Sequence, residues 1–199
     1  MLEKLRIRIS QIFACLLFVL ICVSSSLWED KAPFATTVMF FLGAVLAGLA
    51  SLGRLWCSVY IAGYKKERLV TLGPYSMCRN PLYFFSLVGA LGVGLASETL
   101  LIPLVILIAF VGYYSLVIKA EEAELMRLHK NEFEIYMKEV PRFFPKISLL
   151  KESEEYIMNP KVFKRHMFNA FWFIWFVGIL EVIEELHEFK VLPTIFKIY

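Results

Sequence analysis

Apolar runs of bilayer length dominate this chain. Residues 11–28, 34–53, 81–97, 99–118 and 167–183 each come close to the roughly 20 apolar residues that a membrane-crossing helix requires. A chain of 199 residues carrying five such runs has room for one helical bundle and not for several domains. Its hydrophobic share of 59% exceeds the ~45–50% usual for soluble domains. The expected fold is all-α: a polytopic helical membrane protein with about five transmembrane helices. Three regions are expected: an N-terminal span and turn (1–33), a central membrane core (34–146), and a charged connector with a C-terminal hydrophobic helix (147–199). Residues 11–28 are long for a signal peptide's apolar core and read as a retained first span, not a signal peptide.

Basic residues set the expected orientation. Lys4, Arg6 and Arg8 precede the first span. Lys65, Lys66, Arg68 and Arg79 follow the second, and Arg127, Lys130, Lys138, Arg142 and Lys146 follow the fourth. The opposite side has only Lys31. This puts the N-terminus and the polar segments around Arg79 and Glu121 in the cytoplasm, and the C-terminus outside if the fifth run crosses. The net charge of +3 then reflects topology and anionic headgroups, with no nucleic-acid partner expected. Cys15, Cys22, Cys57 and Cys78 show no paired spacing, and His129, His166 and His187 form no HxxxH pair, so neither a disulfide framework nor a metal site is expected.

Along the chain, the first hairpin turns at Glu29–Pro33, and the second span is expected to continue as helix through Trp56 and Tyr60 toward Gly63. Gly73-Pro74 marks a turn, and Pro81 suits the first turn of the third helix. The third and fourth runs are separated by little more than Glu98, which makes them an antiparallel hairpin. The third is rich in small residues (Ser86, Gly89, Ala90, Gly92, Gly94, Ala96), which let a helix backbone or a ligand approach closely. Residues 120–140 are amphipathic, with Met126, His129, Phe133, Met137 and Val140 on one face. They read as a cytoplasmic interfacial helix capping the bundle, ended by Pro141 and Pro145.

Candidate chemistry gathers at the two ends of that hairpin. Arg79 has a plain explanation as a positive-inside anchor, and Tyr75 and Tyr83 as interfacial aromatics. Glu121 and Glu122 are harder to dismiss. Adjacent helical residues point about 100° apart, so at least one carboxylate should meet the bundle or a bound polar ligand. A salt bridge to Arg79 or Lys119 is the structural alternative. Glu181, Glu184, Glu185 and Glu188 share one helix face and read as a solvated stripe. No Walker loop, nucleophile elbow or Rossmann glycine motif is present, so any cofactor must be held between helices.

Six short motifs nevertheless stand in one register: Leu52-Gly53-x-x-Trp56, Leu69-Val70-x-x-Gly73-Pro74-Tyr75, Arg79-x-Pro81-x-Tyr83, Glu121-Glu122-x-x-Leu125, Tyr136, and Pro141-Arg142-x-x-Pro145. In order and spacing this set resembles the isoprenylcysteine carboxyl methyltransferase-like family, part of a wider group that includes phospholipid N-methyltransferases. The resemblance covers about residues 40–146. It implies a membrane methyltransferase using S-adenosylmethionine (SAM), with the cofactor at the cytoplasmic ends of the hairpin. By that resemblance Tyr75, Asn80, Pro81, Tyr83, Glu121, Glu122 and Tyr136 belong to the cofactor site, and Arg79, Glu122 and Arg142 to the catalytic set. Gly92-Val93-Gly94 also looks like the Gly-x-Gly of the phospholipid branch.

Methyl transfer depends on placing donor and acceptor more than on an acid or base. A glutamate can hold ribose hydroxyls or an amino group, and an arginine can attract an acidic acceptor. The expected acceptor is lipid-like or prenylated, reaching the site from among membrane lipids. Two departures bear on its identity. The usual Arg-His-Pro reads Arg79-Asn80-Pro81, and Asn cannot titrate near neutrality. The usual Phe-Gly after the glutamates reads His129-Lys130. Two rival readings follow, an NADPH-dependent membrane reductase of the sterol-reductase type and a catalytically silent membrane scaffold.

Overall fold

In the computed structural model, the described residues are all but residue 1, residues 63–67 and residue 156. Lys65, Lys66 and the approach to Gly63 therefore lie outside the described residues, as do the side chains of Lys4 and Arg6. The chain forms α1 (Leu2–Cys22), β1 (Ser24–Ser26), α2 (Leu27–Lys31), α3 (Pro33–Ile61), α4 (Pro74–Met77), α5 (Pro81–Ala96) and α6 (Leu101–Glu139). After a 3₁₀ turn (Ile147–Leu149) come α7 (Pro160–Ala170), α8 (Trp172–Glu188) and β2 (Phe196–Ile198).

The expected five equal spans become three long ones and two shorter helices. The stretches Pro33–Ile61, Leu101–Glu139 and Pro160–Glu188 are long and apolar enough to cross a membrane, the last being α7 and α8 together. Ser10–Cys22 and Pro81–Ala96 are apolar but shorter. The first window stops early because Ser24–Ser26 leaves the helix to pair in parallel with Phe196–Ile198. This small ladder is the departure from an all-α chain. The third window stops at Ala96 because Glu98 takes a positive φ of 57°, which turns the chain into α6. At 1.5 Å per residue α5 is about 24 Å long, short of the ~30 Å hydrocarbon core.

The interfacial cap expected over 120–140 does not begin as a separate helix at residue 120. No proline or glycine interrupts the sequence between Ile118 and Glu139, and α6 continues from the apolar stretch as far as Lys130, where a kink leads into its last segment, ending at Glu139. Its conformation breaks at Lys130 (φ 39°, ψ −111°). From Leu101 to Glu121 is about 30 Å along the axis, so the glutamate pair emerges where an apolar core of that thickness ends.

Small residues decide how the helices pack. A Cβ on Gly43 of α3 would lie 2.5 Å from the Gly92 carbonyl oxygen of α5, and one on Gly92 would lie 2.7 Å from the Gly43 carbonyl oxygen. The two backbones therefore touch, and Ala47 and Ala96 continue that seam into a core shared with Val177, Leu180 and Ile183 of α8. Large apolar side chains on the outer faces stay exposed, among them Phe41, Leu52, Ile108, Leu116 and Trp175. In a membrane protein these are the lipid face. At the end of the bundle carrying the α5–α6 turn, Ser26 Oγ donates to the Glu98 carbonyl at 2.7 Å. There the Tyr199 carbonyl accepts from Leu100 and Leu101.

Candidate functional site

At the other end of the bundle, the segment between α3 and α5 is built to be held still. Gly73 has φ 59°, and a Cβ there would run into the Tyr60 ring, so only glycine makes this turn beside that side chain. Ser76 Oγ donates to the Gly73 carbonyl at 2.7 Å and accepts from Lys151 N at 2.9 Å. The strap after α6 lies against the same segment: Arg79 N donates to the Pro141 carbonyl (2.9 Å) and Lys146 N to the Met77 carbonyl (3.0 Å). Pro141 and Pro145 thus do more than end a helix. They shape a strand-like strap that closes over residues 73–79.

Beneath the strap lies a polar node centred on Glu122. Arg79 Nε donates to Glu122 Oε1 at 3.1 Å, and Arg79 Nη1 donates to the carbonyls of Met137 (2.9 Å) and Val140 (3.0 Å) at the end of α6. Arg142 Nε approaches Glu122 Oε2 to 2.9 Å, although its N–H is not aligned on that oxygen. Asn80 is the residue before Pro81, at the mouth of α5, yet its side chain does not cap that helix. Its Nδ2 donates instead to the Arg142 carbonyl at 2.9 Å and to Glu122 Oε1 at 3.4 Å. Pro81, whose missing N–H costs nothing in a first helical turn, is buried beside it. Two arginines against one carboxylate leave the node with a net positive charge.

The tyrosines divide between this node and the bundle. Tyr136 donates its hydroxyl to the Tyr75 carbonyl at 2.6 Å, tying α6 to α4. Burial pushes the Tyr75 phenol well above its usual range, with Cys57, Tyr136 and Glu121 adding to the effect. Glu121 therefore faces the Tyr75 side of α6 while Glu122 faces the arginines. Cys78, in the same segment, has its thiol pushed up to about 12, again by burial. Tyr83 turns into the bundle, where its ring lies 5.4 Å from Tyr114.

Gly92 and Gly94 are not brought to this node. Gly92 is occupied by α3, and a Cβ on Gly94 would meet Pro103 Cα at 3.0 Å. Both glycines serve close helix packing, Gly92 against α3 and Gly94 against the start of α6. The glutamate stripe on α8 is only partly solvated. Glu184 and His187 line a small pocket with Glu98 and Ser24–Ser26, and His187 Nε2 lies 3.0 Å from the Cys22 carbonyl. Among the described residues, no group of three or more His, Cys, Asp or Glu side chains could hold a metal ion.

The sequence marks His129 but not its burial, and it does not mark Arg54 at all. His129 Nε2 is buried without a hydrogen-bond partner, seven residues beyond Glu122 and so on its face of α6. Arg54 lies inside α3, one residue past the window 34–53. A charge at the edge of an apolar run reads as its boundary, but here the helix continues to Ile61. Arg54 Nη1 donates to Ser86 Oγ of α5 and lines a cavity of about 440 Å³ within the bundle.

Residues 34–132 match the phospholipid methyltransferase family. The chain is 33% identical over 193 residues to the nickel-cobalt-cadmium resistance protein NccN of Alcaligenes xylosoxydans, covering 97% of this chain and 89% of that one. It is 34% identical over 190 residues to the cobalt-zinc-cadmium resistance protein CzcN of Cupriavidus metallidurans, covering 96% and 84%. No solved structure matches.

Proposed function

This chain belongs to the family of NccN and CzcN and carries a phospholipid methyltransferase domain over residues 34–132, and from that premise we propose that it is an integral-membrane SAM-dependent methyltransferase. Its acceptor is an amphipathic molecule, such as an isoprenylcysteine-type carboxylate or a related lipid, met at the cytoplasmic face. The relatives' names supply a setting, resistance to nickel, cobalt, zinc and cadmium, in which we place this methyl transfer.

The observation that carries the reading is the node itself. Glu122 holds Arg79 and Arg142 within 3.1 Å where α6 leaves an apolar stretch of bilayer length. When bound, SAM supplies an electrophilic methyl group on a sulfonium, together with a carboxylate, a ribose diol and an adenine amine. The residues present suit those groups. Arg142 is 40% exposed, and its Nη groups have no hydrogen-bond partner among the described residues, which leaves donors for a carboxylate. Glu121 offers an acceptor for hydroxyls beside Tyr75, and the unpartnered His129 Nε2 a further polar contact on the same helix. Arg79 acts by positioning, since its guanidinium pins α6 and the strap to the mouth of α5. The strap over residues 73–79 keeps water from the reacting groups.

Calorimetric titration of the purified protein with S-adenosylhomocysteine, in parallel with NADPH, tests this. Micromolar binding of S-adenosylhomocysteine alone is the expected result. Binding of NADPH alone would move the chain to the reductase reading, and binding of neither to a scaffold.

A further inference from the structure

Arg54 has no acidic partner among the described residues, although it sits within a helix long and apolar enough to cross a membrane. A charge placed in such a helix costs about 2.5–3.5 kcal/mol at the bilayer centre and generally marks a functional path. The only described hydrogen bond of its guanidinium is to Ser86 Oγ. Its guanidinium carbon stands 5.6 Å from the Phe173 ring centroid, and its Nε is buried without a partner. Of the five N–H donors of a guanidinium, most are uncommitted.

The cavity that Arg54 borders is otherwise apolar. Its walls come from α1, α5, α6 and α8, including Phe18, Val93, Ile102, Phe110 and Phe176, and among the described residues no acidic side chain lines it. About 440 Å³ lies within the range of small-molecule sites, ~300–1,000 Å³. The shape is long. The lining runs from Ile102 to Tyr114 on α6, about 18 Å at 1.5 Å per residue. The charge is at one end of it, seven residues before Ile61 closes α3 and five after Pro81 opens α5 at Ser86. That is the end that carries the Arg79–Glu122 node.

We propose that this cavity binds a single-chain amphiphile with an anionic head, the head on Arg54 and Ser86 and the chain extended between α1, α5, α6 and α8. The inference deepens the methyltransferase reading and rests on it for the occupant's role as acceptor. A lone arginine with no carboxylate nearby selects for a carboxylate or a phosphate monoester and against an ammonium head. The length and apolarity of the lining select for one hydrocarbon chain.

The test is competition for tritiated palmitate by hexadecyl phosphate, hexadecanol and hexadecylamine, using the full chain in phosphatidylcholine nanodiscs. Palmitate should bind saturably, with at least tenfold weaker competition from the alcohol and the amine. The ranking of palmitate against hexadecyl phosphate tells a carboxylate from a phosphate head. Arg54→Gln should abolish the preference for anions, and Ala90→Phe, which fills the cavity from α5, should abolish chain binding in a protein that keeps its charge. Equal competition by all three ligands, or unchanged palmitate binding in both variants, would overturn the proposal. S-adenosylhomocysteine titrated into the same nanodiscs separates the two claims. Its failure to bind while anion selectivity persists would overturn the methyltransferase reading and leave the anion site standing.

Discussion

Arg79 and Glu122, 43 residues apart in sequence, meet at 3.1 Å with side chains only 12% and 15% exposed. The pair joins the opening of α5 to the point where α6 leaves its apolar stretch, so one carboxylate both fixes the fold and shapes the candidate site. Removing one partner from a buried pair costs about 3–5 kcal/mol. The partial exposure puts this pair near the lower bound. Glu122→Gln should therefore lower unfolding stability by about 3 kcal/mol and release the strap, seen as faster amide exchange at Arg79 and Lys146. A variant as stable and as protected as the parent would show that the node is not structural.

Arg142 holds the same carboxylate from a more exposed position, 40% accessible. Exposed ion pairs contribute about 0–1 kcal/mol, so Arg142→Ala should leave the melting temperature nearly unchanged. Its effect should fall on ligand affinity. At least tenfold weaker binding of S-adenosylhomocysteine is expected by calorimetry, and unchanged affinity would remove Arg142 from the site.

Lys130 occupies φ 39°, ψ −111° inside α6, a conformation that glycine tolerates and other L-residues adopt at a cost of about 1–3 kcal/mol. The resembling family has glycine at this position. Lys130→Gly should therefore stabilise the protein, by about 1 kcal/mol after the added freedom of the unfolded chain is subtracted. Denaturant titration reads this directly, and a destabilised variant would mean that the break at Lys130 costs nothing here.

Glu98 gives a pH dependence of definite sign. Burial raises its carboxyl above the usual value of 4.5, Thr36 hydrogen bonding works against the shift, and Glu29 and Glu181 add to it. The folded state then holds a proton that the unfolded state has released, so stability falls as pH rises from 4.5 through the raised folded value. Glu98→Gln should lessen that decline and melt higher than the parent at pH 7. Parallel melting curves for the two proteins between pH 4.5 and 8 would contradict it.

The polar node was largely legible in the sequence because polar residues at the ends of apolar runs have few ways to be satisfied. Arg79, Asn80, Glu122 and Arg142 meet within 3.4 Å, and Tyr136 meets the Tyr75 backbone. What was not legible depends on partners distant in the chain. Nothing local tells a glycine that touches a ligand from Gly92, which touches Gly43. Nothing in Ser24–Ser26 announces a strand, since its partner is Phe196–Ile198 at the other end of the molecule. Arg54 was hidden by its position beside an apolar window, where a charge looks like an end and not like a lining.

The uninterrupted course of α6 from Leu101 to Lys130 makes the membrane part of the site's mechanics. A stiff rod whose apolar half must match the hydrocarbon thickness adjusts to a thinner or thicker bilayer by tilting. Glu122 rides on that rod, while Arg79 belongs to the segment pinned by Gly73, Ser76 and Lys151. Lipid thickness thus acts on the registry between carboxylate and guanidinium, and the bilayer becomes a tuning element for the node.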